Sequence, residues 1–297
     1  SLQIIAVNWV PEEFRSRFWG LLSASFSAGN ILAFIVVPIL IENQGWESAF
    51  TVVGGIGIAL AFVWGVFAAD APTNPQRDVA EPGLTSVGPN SLIGHSEVAP
   101  TDVQHGNGIT VPWKEMLGYP PVWALAASHM ASNFFNYFAA SWLPTFFAVE
   151  YGLDTAGASG ASLLPFLCGA AAAGFAGVAG DKLVASGYSL TDTRKLMQLV
   201  AALGPSACCA ALALGEGSPE HGGSMPLASA QGLFIVAIST SSFLAAGYGV
   251  GAQDISRRFA SLLYGSTSAL AVLAGASGQY LTGRLLDAEH GGFEALF

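Results

Sequence analysis

The stretch 48–69 reads SAFTVVGGIGIALAFVWGVFAA, twenty-two residues without one charged side chain. A helix needs ~20 mostly apolar residues to cover the ~30 Å hydrocarbon core of a bilayer, and this run meets that length. Six further stretches qualify, roughly 19–41, 120–147, 157–180, 196–214, 226–250 and 259–282, none with a charge in its middle. The pattern predicts an all-α polytopic membrane bundle.

Composition agrees. Of 297 residues, 52% are hydrophobic and 10% charged, against ~25% charged in soluble domains, and mean hydropathy is +0.53. So few charges cannot coat a soluble surface, which excludes a soluble enzyme, a nucleic-acid binder and a disordered tail. Ten basic against twenty acidic residues give a net charge of −10, the wrong sign for gripping phosphate backbones. Cys168, Cys208 and Cys209 all lie in apolar runs and imply no disulfide framework. Ser1–Trp9 is apolar but too short to span, and the closing GGFEALF stops as another apolar run begins. With no initiator Met and no leader, the chain reads as a fragment cut at both ends.

The basic residues orient the bundle. Segments joining alternate spans place Arg15, Arg17, Arg77, Lys114, Lys182, Arg194, Lys195, Arg257 and Arg258 on one side, and Arg284 alone on the other. By the positive-inside rule the first side is cytosolic. Residues 70–118 hold six prolines, six glycines, six acids and two bases, with little hydrophobic periodicity. That composition reads as a flexible linker over 71–118. It divides the chain into 1–70, with two spans and the tail of another, and 119–297, with five spans.

Several features sit inside the spans. Gly169, Ala173 and Gly177, and also Gly247 and Gly251, recur at the four-residue spacing that lets helices approach closely. Gly-Tyr-Gly-Val-Gly at 247–251 lacks the preceding soluble strand a dinucleotide loop requires. Pro38, Pro144, Pro165 and Pro205 each free a carbonyl and favour a kink. In 120–147, His129, Asn133, Asn136 and Tyr137 share one helical face, a polar stripe about two turns long. Such a face looks into the protein or a water-filled cavity; an interhelical hydrogen-bond cluster and a cavity lining are both open. Tyr248 is a further cavity candidate, whereas the hydroxyls at Ser239–Ser242 can bond back to the preceding turn.

No metal-ligand cluster, nucleophile–base pair or phosphate loop occurs, so no catalytic residue, metal or cofactor is expected. The spans also hold no carboxylate for ion coupling and no Arg or Lys for an anion in their middles.

Motifs add a resemblance. Trp9-Val-Pro-Glu-Glu-Phe-Arg-Ser-Arg17 resembles the W-x-P-x-x-E-R-x-R loop after helix four of major facilitator transporters. Gly177-Val-Ala-Gly-Asp181-Lys182 resembles the second copy of that superfamily's G-x-x-x-D-R/K signature, between helices eight and nine. Val111-Pro-Trp-Lys114, Ser141-Trp-Leu-Pro-Thr-Phe-Phe147 and Gln253-Asp-Ile-Ser-Arg-Arg-Phe-Ala-Ser261 are similar to the anion:cation symporter family. That family includes sialin, vesicular glutamate transporters and type I sodium–phosphate cotransporters. The plant and algal plastid anion branch matches best, down to the Thr-Gly-Arg-Leu-Leu-Asp run at 282–287. The sequence departs from the family at Phe14, where a glutamate is usual, although Glu12 and Glu13 adjoin it. It departs again at Ala252 and Arg257, which replace a histidine and a proline. Ser132 stands where glutamate-transporting members carry arginine, which fits the plant branch.

The resemblance implies a partial major facilitator fold, helices five to eleven of twelve plus the end of four. It implies a secondary active transporter of anions, inorganic phosphate first, coupled to H⁺ or Na⁺ by alternating access. An organic-anion carrier for ascorbate-like substrates is the alternative within the family, and a truncated, non-transporting membrane subunit the alternative outside it. The expected partners are a small anion, the coupling ion and the lipid bilayer, with no nucleic acid. A plastid membrane, thylakoid or inner envelope, follows from the resemblance, with another organelle or the plasma membrane as alternatives. His129, Asn133, Asn136, Tyr137 and Tyr248 are the expected cavity residues. Arg15, Arg17, Asp181, Lys182, Asp254 and Arg258 are the expected gating network, Asp181 with Lys182, Arg194 and Lys195 near, and Asp254 with Arg257 and Arg258.

Overall fold

The computed structural model describes residues 3, 6, 9–11, 14–67, 111, 113–215, 225–256 and 259–288. All regular structure among them is helical: α1 Arg15–Gln44, α2 Trp46–Phe67, α3 Trp113–Gly118, α4 Pro120–Tyr151, α5 Thr155–Ala185, α6 Leu190–Gly215, α7 Leu227–Ser241, a 3-10 turn Ser242–Ala245, α8 Tyr248–Ile255 and α9 Ala260–Ala288. Among the described residues, six segments are long and apolar enough to cross a bilayer: α1, α2, α5, α6, the run Leu227–Ile255 and Ala260–Leu286. The seventh expected span is present as the 32-residue α4. Its polar stripe leaves it without a window as apolar as those of the other six.

The linker read over 71–118 falls largely outside the described residues. Its last six residues are not loop: they form α3, and Met116 packs on Val122, Leu125, Tyr248, Ala252 and Leu263.

Two helix pairs organise the bundle. α1 lies along α5, and α4 lies along α9, with α7 between α5 and α6. The small-residue stripe explains the first pairing. A Cβ on Gly177 would stand 2.7 Å from the Ser16 carbonyl oxygen, and one on Gly20 would stand 2.7 Å from that of Ala173. Only glycine lets these backbones meet, and close approach supplies the dispersion contacts that hold helices together in lipid. A second core joins Phe146, Phe147, Phe234 and Leu212, all buried. Phe146 and Phe234 meet edge to face at 5.2 Å.

α2 is the exception: it has no buried residue and rests mainly on α1. A helix apolar on every side can be covered only by hydrocarbon or by other apolar helices.

The four prolines lie inside α1, α4, α5 and α6, each of which continues as helix beyond them. Proline frees the carbonyl four residues earlier, so Pro165 orphans Ala161. Gln231 of α7 donates its Nε2 to that carbonyl at 2.9 Å, the kind of substitute a bilayer interior demands. The break falls where there is no proline, at the 3-10 turn and Gly247, so the expected span 226–250 is two helices, α7 and α8.

Candidate functional site

The polar stripe of α4 divides along its length. His129 is buried and held between two phenol rings, Tyr248 of α8 at 4.6 Å and Tyr264 of α9 at 5.0 Å, tilted by 31° and 39°. Trp19 of α1 continues the stack, 5.6 Å from Tyr264. Thr267 donates its hydroxyl to the Tyr264 carbonyl at 3.2 Å and lies 3.2 Å from His129 Nδ1. That network assigns Nδ1–H as the donor and leaves Nε2 as the acceptor.

Beyond His129 the stripe opens. Asn133 is half-buried and makes no protein hydrogen bond among the described residues. Asn136 is half-buried too, but donates Nδ2 to the Ser132 carbonyl one turn back, at 2.8 Å. Tyr137 faces α9, its ring covering Gly275, and its carbonyl accepts from Gln279 Nε2 at 2.8 Å. Tyr137 is therefore a helix–helix contact, and Tyr248 a stacking partner. The hydroxyls after Ile238 bond back as expected: Ser241 and Ser242 both donate to its carbonyl, at 2.8 and 2.9 Å.

The ion-paired residues gather at one end of the bundle. Asp181, on the last turns of α5, accepts from both the backbone N–H and Nε of Arg17, each at 3.2 Å. The Arg17 N–H is among the first, intrahelically unsatisfied donors of α1, whose N-cap Phe14 offers no side chain to cap it. Asp181 thus caps α1 from across the helix interface and answers the positive end of its dipole. Its side chain is 6% exposed against 45% for Arg17, so the acid depends on the pair more than the base does.

Arg194, at the start of α6, is the hub. It donates Nε to Asp254 at 2.7 Å and one terminal nitrogen to both Ser16 Oγ at 3.0 Å and the Ala246 carbonyl at 3.1 Å. One turn on, Gln198 Oε1 accepts from the Tyr248 N–H at 3.3 Å. These two side chains of α6 satisfy a carbonyl and an N–H exposed by the break between α7 and α8, and so hold the break in shape. Arg194 sits with Asp254, and Arg17 takes the place beside Asp181. Lys182 is exposed and forms no ion pair among the described residues. Arg15 is buried in the first turn of α1. Arg258 and Arg257 lie outside the described residues.

This geometry ties α1 to α5, α6 and α8 by polar contacts at one end, over an aromatic stack and a half-open polar helix face. The sequence profile of the Major Facilitator Superfamily matches residues 1–279. The chain belongs to this superfamily. Three plant proteins are among its relatives within the superfamily. It is 32% identical over 299 residues to "Probable anion transporter 1, chloroplastic" of Oryza sativa subsp. japonica, covering 100% of this chain and 52% of that protein. Against "Sodium-dependent phosphate transport protein 1, chloroplastic" of Arabidopsis thaliana it is 29% identical, over 100% of this chain and 54% of the relative. Against "Ascorbate transporter, chloroplastic" of Arabidopsis thaliana the identity is 30%, over 94% of this chain and 48% of the relative. The chain spans about half the length of these curated relatives, and the superfamily membership makes it a multi-pass membrane protein rather than an enzyme.

Five participants of this major facilitator site were not singled out in the sequence: Trp19, Tyr264, Thr267, Gln198 and Ser16. Tyr264 and Thr267 carry a readable signal, since a spacing of three puts them on one face of an otherwise small-residue span. Trp19 and Ser16 carry none, because their partners lie more than 150 residues away in sequence.

Proposed function

We propose that the complete protein is a secondary active anion transporter of alternating-access type in a plastid membrane, carrying inorganic phosphate in symport with H⁺ or Na⁺. Half-buried Asn133, with no protein partner for its amide among the described residues, is the observation that carries the reading. A polar amide in a membrane helix needs a partner, and a passing hydrated anion supplies an acceptor for its N–H groups. It lies one turn from His129, whose Nε2 acceptor has no hydrogen-bond partner among the described residues. The two six-helix halves, to which 1–70 contributes the end of the first and 119–297 most of the second, rock about this level, and the Arg17–Asp181 and Arg194–Ser16 contacts are made and broken at the charged end.

The names of the relatives support an anion and divide on which one. Phosphate is taken first because a neutral amide donor suits a small oxyanion. The ascorbate-named relative makes an organic anion the second choice. The test is uptake of labelled phosphate by the full-length protein in proteoliposomes, with unlabelled ascorbate as competitor. Saturable phosphate uptake that ascorbate does not suppress is expected. Ascorbate uptake without phosphate uptake overturns the phosphate assignment, and uptake of neither overturns the transporter reading.

A further inference from the structure

The rings of Trp19, Tyr264, His129 and Tyr248 come from four different elements, α1, α9, α4 and α8, and stack in one file with centroid spacings of 5.6, 5.0 and 4.6 Å. Trp19 is 7% exposed, His129 3% and Tyr248 8%. The file lies inside the charged end. Trp19 is four residues into α1 and Tyr264 four into α9, while His129 is nine residues into α4, roughly 13 Å along the helix axis. Asn133 is one turn further in. Along α4, His129 and the rings stacked on it lie between the charged end and Asn133.

Trp19 differs from the other three. It alone is contributed by the segment before the linker, and its body rests on Ala245 and Val250 beside the helix break. Its Nε1–H is buried with no hydrogen-bond partner among the described residues. Tryptophan Nε1 normally finds a partner when buried, and a buried orphan donor is unfavourable. The other polar end of the file is settled: Thr267 fixes His129, and Gln198 fixes the backbone of Tyr248. The orphan therefore sits at the one contact of the file that joins the two parts of the chain. A Trp19 that leaves Tyr264 regains water at Nε1, so the contact is bistable: apolar stacking favours closure and the unpaired donor favours release.

We infer that this four-ring file is a plug that seals the polar face of α4 from the charged end, and that Trp19–Tyr264 is the contact that opens. The inference rests on the alternating-access reading for its purpose but not for its test. The plug works with the ionic contacts around Arg194 and Asp181, which set how closely α1 lies on α5 and so whether Trp19 reaches Tyr264.

The test uses the full-length protein with its native cysteines replaced and a single cysteine at position 133 (N133C). In inside-exposed membrane vesicles, the rate of labelling by a membrane-impermeant maleimide is measured from the charged side. Labelling at least tenfold faster in Trp19→Ala and Tyr264→Ala, with Trp19→Phe close to the parent, is expected. Parental labelling in both alanine variants, each shown to be folded by its elution and melting, overturns the plug. Equal acceleration by Trp19→Phe also overturns it, since a ring is retained there. Faster labelling in the alanine variants, beside a parent protein with Asn133 intact that transports no anion, supports the plug while removing the transporter reading, so the two fail separately.

Discussion

Asp181 holds Arg17 twice, through its side-chain Nε and through its backbone N–H, each at 3.2 Å. One carboxylate therefore neutralises a guanidinium and caps the helix that carries it. Asp181→Ala removes both functions and is expected to lower stability by about 2 kcal/mol. Asp181→Asn keeps an acceptor for the N–H and is expected to cost about half as much. Arg17→Ala leaves the cap in place; the lost partner is the exposed member of the pair, so its cost stays at about 1 kcal/mol or less. Thermal melting of the full-length protein in detergent orders the three. An Arg17→Ala cost equal to that of Asp181→Ala would show that the charge, and not the cap, holds α1.

The membrane class, the number of spans and the small-residue stripe were legible because they are local: length, apolarity and a spacing of four residues are written along the chain. Asp181 and Asp254 could be marked as switch residues on the same grounds. Their partners could not, because the choice between Arg17, Arg194 and the bases beside them depends on how α1 and α6 cross the ends of α5 and α8. The break after Ser241 was hidden for another reason. Proline was read as favouring a kink; α1, α4, α5 and α6 all run on as helix through theirs, and the break, which has no proline, is stabilised from outside by Arg194 and Gln198. The polar stripe of α4 was legible as a stripe. That Tyr137 covers Gly275 while Asn133 stays open is a property of α9, written 138 residues later.

Two glycines of α5 separate packing from propensity. Gly177→Ala places a methyl 2.7 Å from the Ser16 carbonyl, whereas nothing stands within 4 Å of a methyl at Gly174. Gly174→Ala is expected to be neutral or to stabilise by up to about 1 kcal/mol through helix propensity. Gly177→Ala is expected to force α1 away and destabilise by about 1–3 kcal/mol. Melting of the two variants side by side checks this, and equal shifts would mean that α1 and α5 do not meet at Gly177.

The bond from Gln231 to the Ala161 carbonyl has a conditional value. With Pro165 present, that carbonyl has no helical donor, so Gln231→Leu is expected to cost about 1 kcal/mol. In a Pro165→Ala background the α5 backbone supplies the missing N–H, and the same change is expected to cost less than about 0.5 kcal/mol. A double-mutant cycle measures the difference. A cost independent of residue 165 would show that Gln231 serves some other partner.

Asn133→Leu matches the residue in size and removes its amide. In the full-length protein, uptake is expected to fall at least tenfold while membrane insertion and melting temperature stay near the parent's. Tyr137→Phe is expected to leave uptake within about twofold, because its ring packs on α9 and its carbonyl, unaffected by the change, is what bonds Gln279. Uptake measured beside a membrane-insertion assay decides the matter, and unchanged uptake in Asn133→Leu would put Asn133 on a packing face.

Gradient-driven uptake tests the central claim most directly. Full-length protein is reconstituted into proteoliposomes, and labelled phosphate accumulation is followed with an imposed pH gradient, an imposed sodium gradient, both, or neither. Accumulation above equilibrium with one gradient and not in its absence is the expected result, and it names the coupling ion. Equilibration at the same rate under all four conditions would contradict coupled transport.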